Sequence, residues 1–172
     1  MKARNPLLML LVTLVLLALV LVLPGAASAR GCTPQHYAAS GIWGVYQVDF
    51  DTMKEVGGYT LATGTEYANW TGAFQGSSVE PWKGVFFPLF PEGGYRLLIT
   101  SNFEGSVYAA PGELLGTGRA LIVITARAAP GGAPSGTWTV ARGSEGLRHL
   151  CGRGTWEATD TGLLYTGEVW LH

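Results

Sequence analysis

The chain divides by its hydrophobic pattern into an apolar N-terminal segment and a long remainder in which apolar and polar residues alternate. The apolar run extends from Leu7 to Leu23, and Thr13 is its only polar member. After residue 30 no stretch keeps the 3.6-residue period of a helix, whereas the two-residue period of a half-buried strand recurs throughout. The pattern therefore predicts an all-β domain behind a hydrophobic leader.

Short strands are predicted wherever the alternation is bounded by glycine, proline or other turn residues. Between residues 95 and 104, for example, Leu97, Ile99 and Phe103 share one face. Residues 119–127 are apolar on both faces, which is typical of a strand that is covered on both sides. The predicted strands are 42–50, 66–76, 79–87, 95–104, 107–108, 119–127, 136–142, 154–159 and 163–171, and residues 53–58, 88–94 and 129–135 are predicted turns or loops.

Eight or nine short strands are typical of a sandwich or a barrel, and the glycines favour the barrel. The chain has 25 glycines, which are spread singly among aromatic and β-branched residues. Isolated glycines inside strands let a strongly curved sheet bend without steric strain. We therefore expect a single antiparallel closed β-barrel of about eight strands over residues 41–172, after an N-terminal arm at 30–40.

The tripeptide Gly-x-Trp occurs three times, at residues 41–43, 136–138 and 154–156. Residues two apart in a strand point to the same side of the sheet. We interpret each glycine as making room on that side for the indole that follows it.

The first 29 residues have the features of a secretory signal peptide. Lys2 and Arg4 precede the apolar run, Pro24 ends it, and the small residues that follow predict cleavage after Ala29. We expect a secreted or extracytoplasmic protein with no transmembrane segment in its mature form. Two alternatives stay open: retention of the 17-residue run as an anchor, and lipidation of Cys32.

The two cysteines, Cys32 and Cys151, would be exported together into surroundings where disulfides form. We predict a Cys32–Cys151 disulfide that ties the N-terminus to the C-terminal third of the chain. The alternative is a reactive thiol at Cys151, and lipidation of Cys32 would exclude the bridge.

Charge argues against nucleic acid as a partner. Loss of Lys2 and Arg4 with the leader changes the formal net charge from −1 to −3, and the chain contains no run of basic residues. A phosphate backbone requires clustered lysine and arginine side chains.

No motif of catalysis or metal binding is present, because Gly-x-Ser-x-Gly, His-Glu-x-x-His and Cys-x-x-Cys do not occur and the three histidines do not cluster. We assign no catalytic residue, no metal and no cofactor. Glu66, Glu80, Glu104 and Glu113 are scattered along the chain. Any of them that points into the barrel would have a raised pKa and become a catalytic candidate.

Aromatic residues are concentrated between residues 70 and 95. They fill either the core and rim of the barrel or an apolar pocket for a small hydrophobic molecule. The proline-bounded loop at 86–91 favours the pocket, because its four large apolar side chains must be covered by something. The candidate ligand-binding residues are Trp70, Phe74, Trp82, Phe87, Phe90 and Tyr95.

Three segments carry a family resemblance: Gly-Thr-Trp-Thr-Val at 136–140, Leu-Cys-Gly-Arg-Gly-Thr-Trp at 150–156 and Tyr-Thr-Gly-Glu-Val at 165–169. With Trp-Thr-Gly-Ala-Phe-Gln-Gly at 70–76, this pattern resembles an uncharacterised bacterial family of small β-barrels akin to allene oxide cyclase and the dirigent proteins. The resemblance implies an eight-stranded antiparallel barrel with a central cavity, and it implies no reaction. Glu145 and Cys151 depart from the family pattern.

These observations lead us to expect a barrel that binds a small hydrophobic molecule without catalysis. The alternatives are a cofactor-independent cyclase or isomerase and a structural or interaction protein of the cell envelope. An empty apolar cavity favours binding, an inward Glu or Tyr with a hydrogen-bond partner favours an enzyme, and a filled core with an exposed aromatic loop favours the envelope protein.

The leader and the cysteines make a prediction that mass spectrometry tests. The protein secreted by its own host should have, under non-reducing conditions, the mass of residues 30–172 less two hydrogens, because cleavage follows Ala29 and Cys32 bonds to Cys151. Reduction should restore the two hydrogens. An acyl mass on Cys32 would contradict the bridge, and a chain that keeps its first 29 residues would contradict the cleavage.

Overall fold

The computed structural model describes residues 34–88 and 93–172. Their strands run antiparallel to their neighbours, and the first strand pairs with the last as well as with the second, so that the sheet forms one ring. The all-β, eight-stranded antiparallel prediction is confirmed. The strands are β1 (His36–Val56), β2 (Tyr59–Trp70), β3 (Phe74–Phe86), β4 (Tyr95–Ala110), β5 (Glu113–Ala128), β6 (Ser135–Gly143), β7 (Leu150–Thr159) and β8 (Gly162–Leu171), with a 3₁₀ turn at Glu145–Leu147.

Several strand boundaries differ from those predicted. A turn at residues 71–73 divides the predicted strand 66–76 between β2 and β3, and residues 53–56 continue β1 instead of turning. Residues 107–108 belong to the long strand β4. β1 begins at His36, five residues before the expected start of the barrel domain, so residues 36–40 of the expected arm are strand.

The leader, its cleavage site at Ala29 and Cys32 lie outside the described residues, and the signal peptide stays a prediction. No helix among the described residues is long and apolar enough to cross a membrane.

The expectation that both faces of residues 119–127 are covered is wrong. On β5 the inward residues Ile122 and Ile124 are fully buried, whereas the outward residues Leu121 and Val123 are only half-buried. The apolar run therefore has one core face and one partly exposed face, as other strands of an antiparallel sheet do.

β1 is longer than the strand that flanks it on one side. It pairs with β8 over His36–Trp43, while residues 44–56 pair with β2 alone. Two bulges, between Val45 and Gln47 and between Phe50 and Thr52, shift which side chains point inward. The β1–β2 hairpin therefore extends past β8, and its inner face stays accessible to solvent.

The interior is packed by aromatic rings that lie over glycines of the neighbouring strand. In the pairing of β6 with β7, Gly136 lies opposite Trp156 and Gly154 lies opposite Trp138. A Cβ atom would lie 2.6 Å from Nε1 of Trp138 if placed on Gly154, and 2.7 Å from Nε1 of Trp156 if placed on Gly136. Each glycine thus makes room for the tryptophan of the adjacent strand, which corrects our interpretation that it serves the indole of its own tripeptide.

Hydrogen bonds fix the same rings in place. Trp138 Nε1 donates to the Thr166 carbonyl at 3.2 Å, and Trp156 Nε1 donates to the Thr125 carbonyl at 2.9 Å. A glycine likewise makes room for an aromatic side chain where Gly41 faces the Tyr165 hydroxyl and where Gly64 faces the Trp82 ring.

Tyr165 is a buried side chain of β8 that links distant parts of the sheet. Its hydroxyl accepts the backbone N–H of Phe74 at 2.9 Å and donates to the Thr71 carbonyl at 2.8 Å. Burial raises the pKa of Tyr165 to about 12, so it stays neutral and can make both bonds. The side chain thereby ties β8 to the turn between β2 and β3.

Replacing Gly154 with alanine should destabilise the fold by about 3 kcal/mol, because the new methyl group overpacks a filled interior. It would lie 2.0 Å from the Thr166 carbonyl oxygen and against the Trp138 ring. The free energy of unfolding in urea, followed by tryptophan fluorescence, measures the effect. Gly44→Ala is the matched control, because its Cβ would approach only the Asn69 carbonyl oxygen, at 3.5 Å. Equal losses in the two variants would contradict this account.

Candidate functional site

Two glutamates face each other inside the ring. Glu66 on β2 and Glu80 on β3 are directly opposite in the strand register, and both are buried. Alternate residues of β2 from Thr60 to Trp70 are buried, and Glu66 belongs to that inward set. Side chains opposite each other on adjacent strands are in contact range, so the two carboxyl groups form one site.

Hydrogen bonds converge on Glu80. Trp43 Nε1 donates to Glu80 Oε2 at 3.0 Å, and the Ser78 hydroxyl donates to Glu80 Oε1. Trp70 Nε1 in turn donates to Ser78 Oγ at 2.8 Å. Because N–H and O–H donors favour the charged form of a carboxyl group, this network makes Glu80 the acceptor of the pair.

Glu66 is the protonated member of the pair. Burial, and after it the nearby Glu80 carboxyl, raises the pKa of Glu66 from 4.5 to about 9. Burial also raises the pKa of Glu80, but Ser78 and Trp43 oppose that change. Two adjacent buried carboxyl groups do not both ionise at neutral pH. The site therefore contains an acid, Glu66, beside a hydrogen-bonded base, Glu80.

Three buried polar atoms at this site have no hydrogen-bond partner among the described residues: Glu66 Oε1, Trp82 Nε1 and Ser101 Oγ. Ser101 lies close enough to Glu80 to lower its pKa, although it does not meet the geometry of a hydrogen bond. Buried polar groups almost always have a partner. Trp82 Nε1 and Ser101 Oγ are therefore available as donors, whereas Glu66 Oε1 is available as an acceptor because the Glu66 proton is directed at Glu80.

An apolar mouth adjoins the carboxyl pair. It consists of Val48, Phe50 and Met53 on the inner face of β1, and Val48 is directly opposite Glu66. Phe50 and Met53 are 49% and 53% exposed, so the hairpin side of the interior is open to solvent. Phe50 packs edge-on against Trp82 with 5.1 Å between ring centroids.

Tyr95, on β4, is half-buried near the same acid. Burial raises the pKa of Tyr95, and the negative charge that Glu66 carries once it loses its proton contributes to the same change. Tyr95 packs against Phe86 at a centroid distance of 5.7 Å. The phenol therefore stays neutral at the side of the interior where the apolar mouth opens.

The structure divides the six predicted ligand-binding residues. Trp82 and Tyr95 lie at the carboxyl site, whereas Trp70 and Phe74 are packed into the aromatic core, 5.7 Å apart between centroids. Phe87 contacts the ring of Tyr59 at 6.0 Å. Phe90 lies outside the described residues.

The carboxyl pair was not assigned from the sequence, although one signal was available. Glu66 shares the parity of Ala68 and Trp70, and Glu80 shares the parity of Trp82, so alternation alone puts both on the core face. Their meeting depends on the register between β2 and β3, which the turn at 71–73 sets. That turn falls inside a segment predicted as a single strand.

Cys151 and the histidines belong to no metal-binding cluster among the described residues. Cys151 is half-buried and makes no disulfide with another described residue. The Cys32–Cys151 bridge stays a prediction. His36 stacks on Trp170 at 4.6 Å, and its Nδ1 lies 2.9 Å from Glu168. No group of three or more His, Cys, Asp or Glu side chains in residues 34–88 and 93–172 could hold a metal ion.

A crystal structure with a similar fold belongs to a protein of unknown function from the DUF3224 family of Shewanella oneidensis MR-1. The two structures superpose with a TM-score of 0.64 at 13% sequence identity, over 80% of this chain and 98% of that chain. No protein-family model matches the sequence, and no curated protein matches it. At this identity the likeness shows the fold alone, and the resemblance to allene oxide cyclase stays a prediction.

The raised pKa of Glu66 predicts that the protein loses stability as pH rises. The folded state binds a proton that the unfolded state releases above pH 4.5, so the free energy of unfolding should fall up to a pH of about 9. The slope should approach about 1.4 kcal/mol per pH unit. Chemical denaturation at several pH values measures it. Glu66→Gln should remove most of the slope, and the exposed Glu113→Gln should keep it. A flat wild-type profile would contradict protonation of Glu66.

Proposed function

We propose that this protein binds a small, mostly apolar molecule that carries a hydrogen-bond-accepting oxygen, inside the ring on the hairpin side. The observation that supports this most is the placement of protonated Glu66 beside the unpartnered Trp82 Nε1, next to an apolar mouth that is accessible to solvent. Apolar walls with a few convergent polar groups are characteristic of small-molecule sites.

The polarity of the site narrows the class of ligand. Trp82 Nε1 and Ser101 Oγ offer hydrogen-bond donors beside the neutral Glu66, so they suit a carbonyl, ether or epoxide oxygen. A carboxylate ligand is disfavoured, because Glu80 takes up the negative charge of the pair and would repel a second one at close range. From the N-terminal leader we further propose that binding takes place outside the cytoplasm.

A second candidate function is cofactor-independent proton transfer, as in a cyclase or isomerase. It is favoured by one specific observation: an inward acid, Glu66, directly opposite an inward base, Glu80. Paired carboxyls with separated pKa values can divide the two roles of acid–base catalysis. In such a step Glu80 would remove a proton from a carbon next to a carbonyl group, and Glu66 would donate its proton to the carbonyl oxygen.

Hydrogen exchange separates the two functions. If the site is catalytic, a cyclic ketone incubated with the protein in deuterated water should gain deuterium next to its carbonyl group faster than in buffer. Glu80→Gln should abolish the acceleration, since it removes the base and keeps the shape. A ketone that binds but exchanges at the buffer rate would leave binding as the function.

The binding proposal is tested with Prodan, a neutral naphthalene dye with one ketone oxygen. Phe50→Ser combined with Met53→Ser should weaken Prodan binding by at least ~10-fold, because each change removes apolar contact area at the mouth. Leu114→Ser is the matched control, since Leu114 is 54% exposed and lies in another hairpin, between β4 and β5. Fluorescence titration gives the dissociation constants.

The same titration tests the role of the acid. Wild-type affinity should decrease as pH rises through about 9, where Glu66 loses its proton, and Glu66→Gln should not show the decrease. Equal weakening by the Leu114 variant, or no dependence on the mouth residues, would contradict the proposal.

A further inference from the structure

The outer face of the β1–β2 hairpin and of the adjoining strands β3 and β4 is apolar. Val56 and Tyr59 lie at the hairpin tip, and Leu61, Val85 and Leu98 continue the face across β2, β3 and β4. Four of these five side chains are exposed, Val85 being half-buried. Large apolar side chains that are contiguous on a surface mark an interaction site more often than single ones do.

Four cations lie among these apolar residues: Lys54, Lys83, Arg96 and Arg127. Lys54 is opposite Leu61, Lys83 is opposite Leu98, and Arg96 lies between Val85 and Arg127 in the register. We call the nine residues the basic-apolar face. They include half of the eight lysines and arginines between residues 34 and 172. None of the four cations forms an ion pair with another described residue.

The acidic residues of β1 are placed away from the face, whereas Glu157 on β7 lines a neighbouring groove together with Arg96 and Arg127. Asp49 and Asp51 lie further from the hairpin tip than Lys54 does, and Glu55 points to the inner side, where it accepts a hydrogen bond from Thr60. A groove of about 600 Å³ follows the face between Leu61 and Leu98, and three of the four cations line it. The face is therefore locally positive in a chain whose formal net charge is −1.

We infer that the basic-apolar face docks the protein on a lipid bilayer that contains acidic phospholipids. Aliphatic and tyrosine side chains at the tip enter the interfacial layer, and the lysines and arginines reach lipid phosphates. Val56 and Tyr59 lie outside the groove, so a small molecule bound in the groove would leave them uncovered, whereas a bilayer covers the tip and the wall together. Nucleic acid fits less well, because exposed aliphatic side chains between the cations add nothing to phosphate binding.

Vesicle sedimentation tests the inference with the secreted protein. It should bind vesicles of phosphatidylcholine mixed with phosphatidylglycerol, bind phosphatidylcholine vesicles weakly, and be released by salt. Lys83→Gln combined with Arg96→Gln should lower the partition coefficient by about 30-fold, because the double variant loses two positive charges that attract acidic lipids. Arg142→Gln combined with Arg148→Gln removes the same charge from another exposed region and should have little effect.

A second pair of variants tests the apolar component. Tyr59→Ser combined with Leu61→Ser should lower the partition coefficient by at least ~10-fold, and Leu114→Ser should leave it unchanged. All variants share one N-terminus, so their differences report on the face alone. Equal losses of binding in the Lys83/Arg96 variant and the Arg142/Arg148 variant would overturn the inference, because net charge would then explain binding. So would binding to heparin or to monomeric dodecyl phosphate without binding to vesicles.

Discussion

Contact between an aromatic side chain and a glycine on the adjacent strand determines how much of the interior of the eight-stranded sheet is filled. A strongly curved sheet crowds the side chains on its inner face, and several of the largest aromatic side chains lie opposite a glycine, although Trp43 and Trp70 lie directly opposite each other. Gly154 beneath Trp138 and Gly136 beneath Trp156 show the arrangement twice in the same pair of strands. At successive inward positions, each of the two strands places a tryptophan opposite a glycine of the other strand. The two indole rings therefore fit side by side while the strands stay paired.

The packed rings also position the polar site. Trp43 and Trp70 belong to the core, yet their N–H groups point toward Glu80 directly and through Ser78. Each buried indole N–H needs a hydrogen-bond acceptor, and the bonds that these two tryptophans make hold the Glu80 carboxylate and its partner Ser78 in place. Glu66 has no comparable set of donors, and the difference in hydrogen bonding separates the two glutamates into an acid and a base although they lie in the same surroundings.

The length of β1 creates the two surfaces to which we assign roles. Past Trp43 the strand has no pairing with β8, so its inward side chains remain accessible while its outward side chains continue a face across β2 to β4. The apolar mouth and the basic-apolar face are thus the two sides of one hairpin. The bulges near Gln47 and Thr52 decide which residue belongs to which side, since each shifts the alternation by one position.

Alternation of period two and punctuation by glycine depend only on local geometry, and they were enough to predict the class of fold. The sequence predicted the core faces of Leu97, Ile99 and Phe103 and an antiparallel barrel of about eight strands. Register and curvature were decided only in the tertiary structure. Alternation shows that Glu66 and Glu80 point inward, but their contact depends on a short turn at residues 71–73 and on pairing between strands. The placement of Lys54, Lys83 and Arg96 on one face likewise arises from three different strands, and a linear pattern without a basic run does not reveal it.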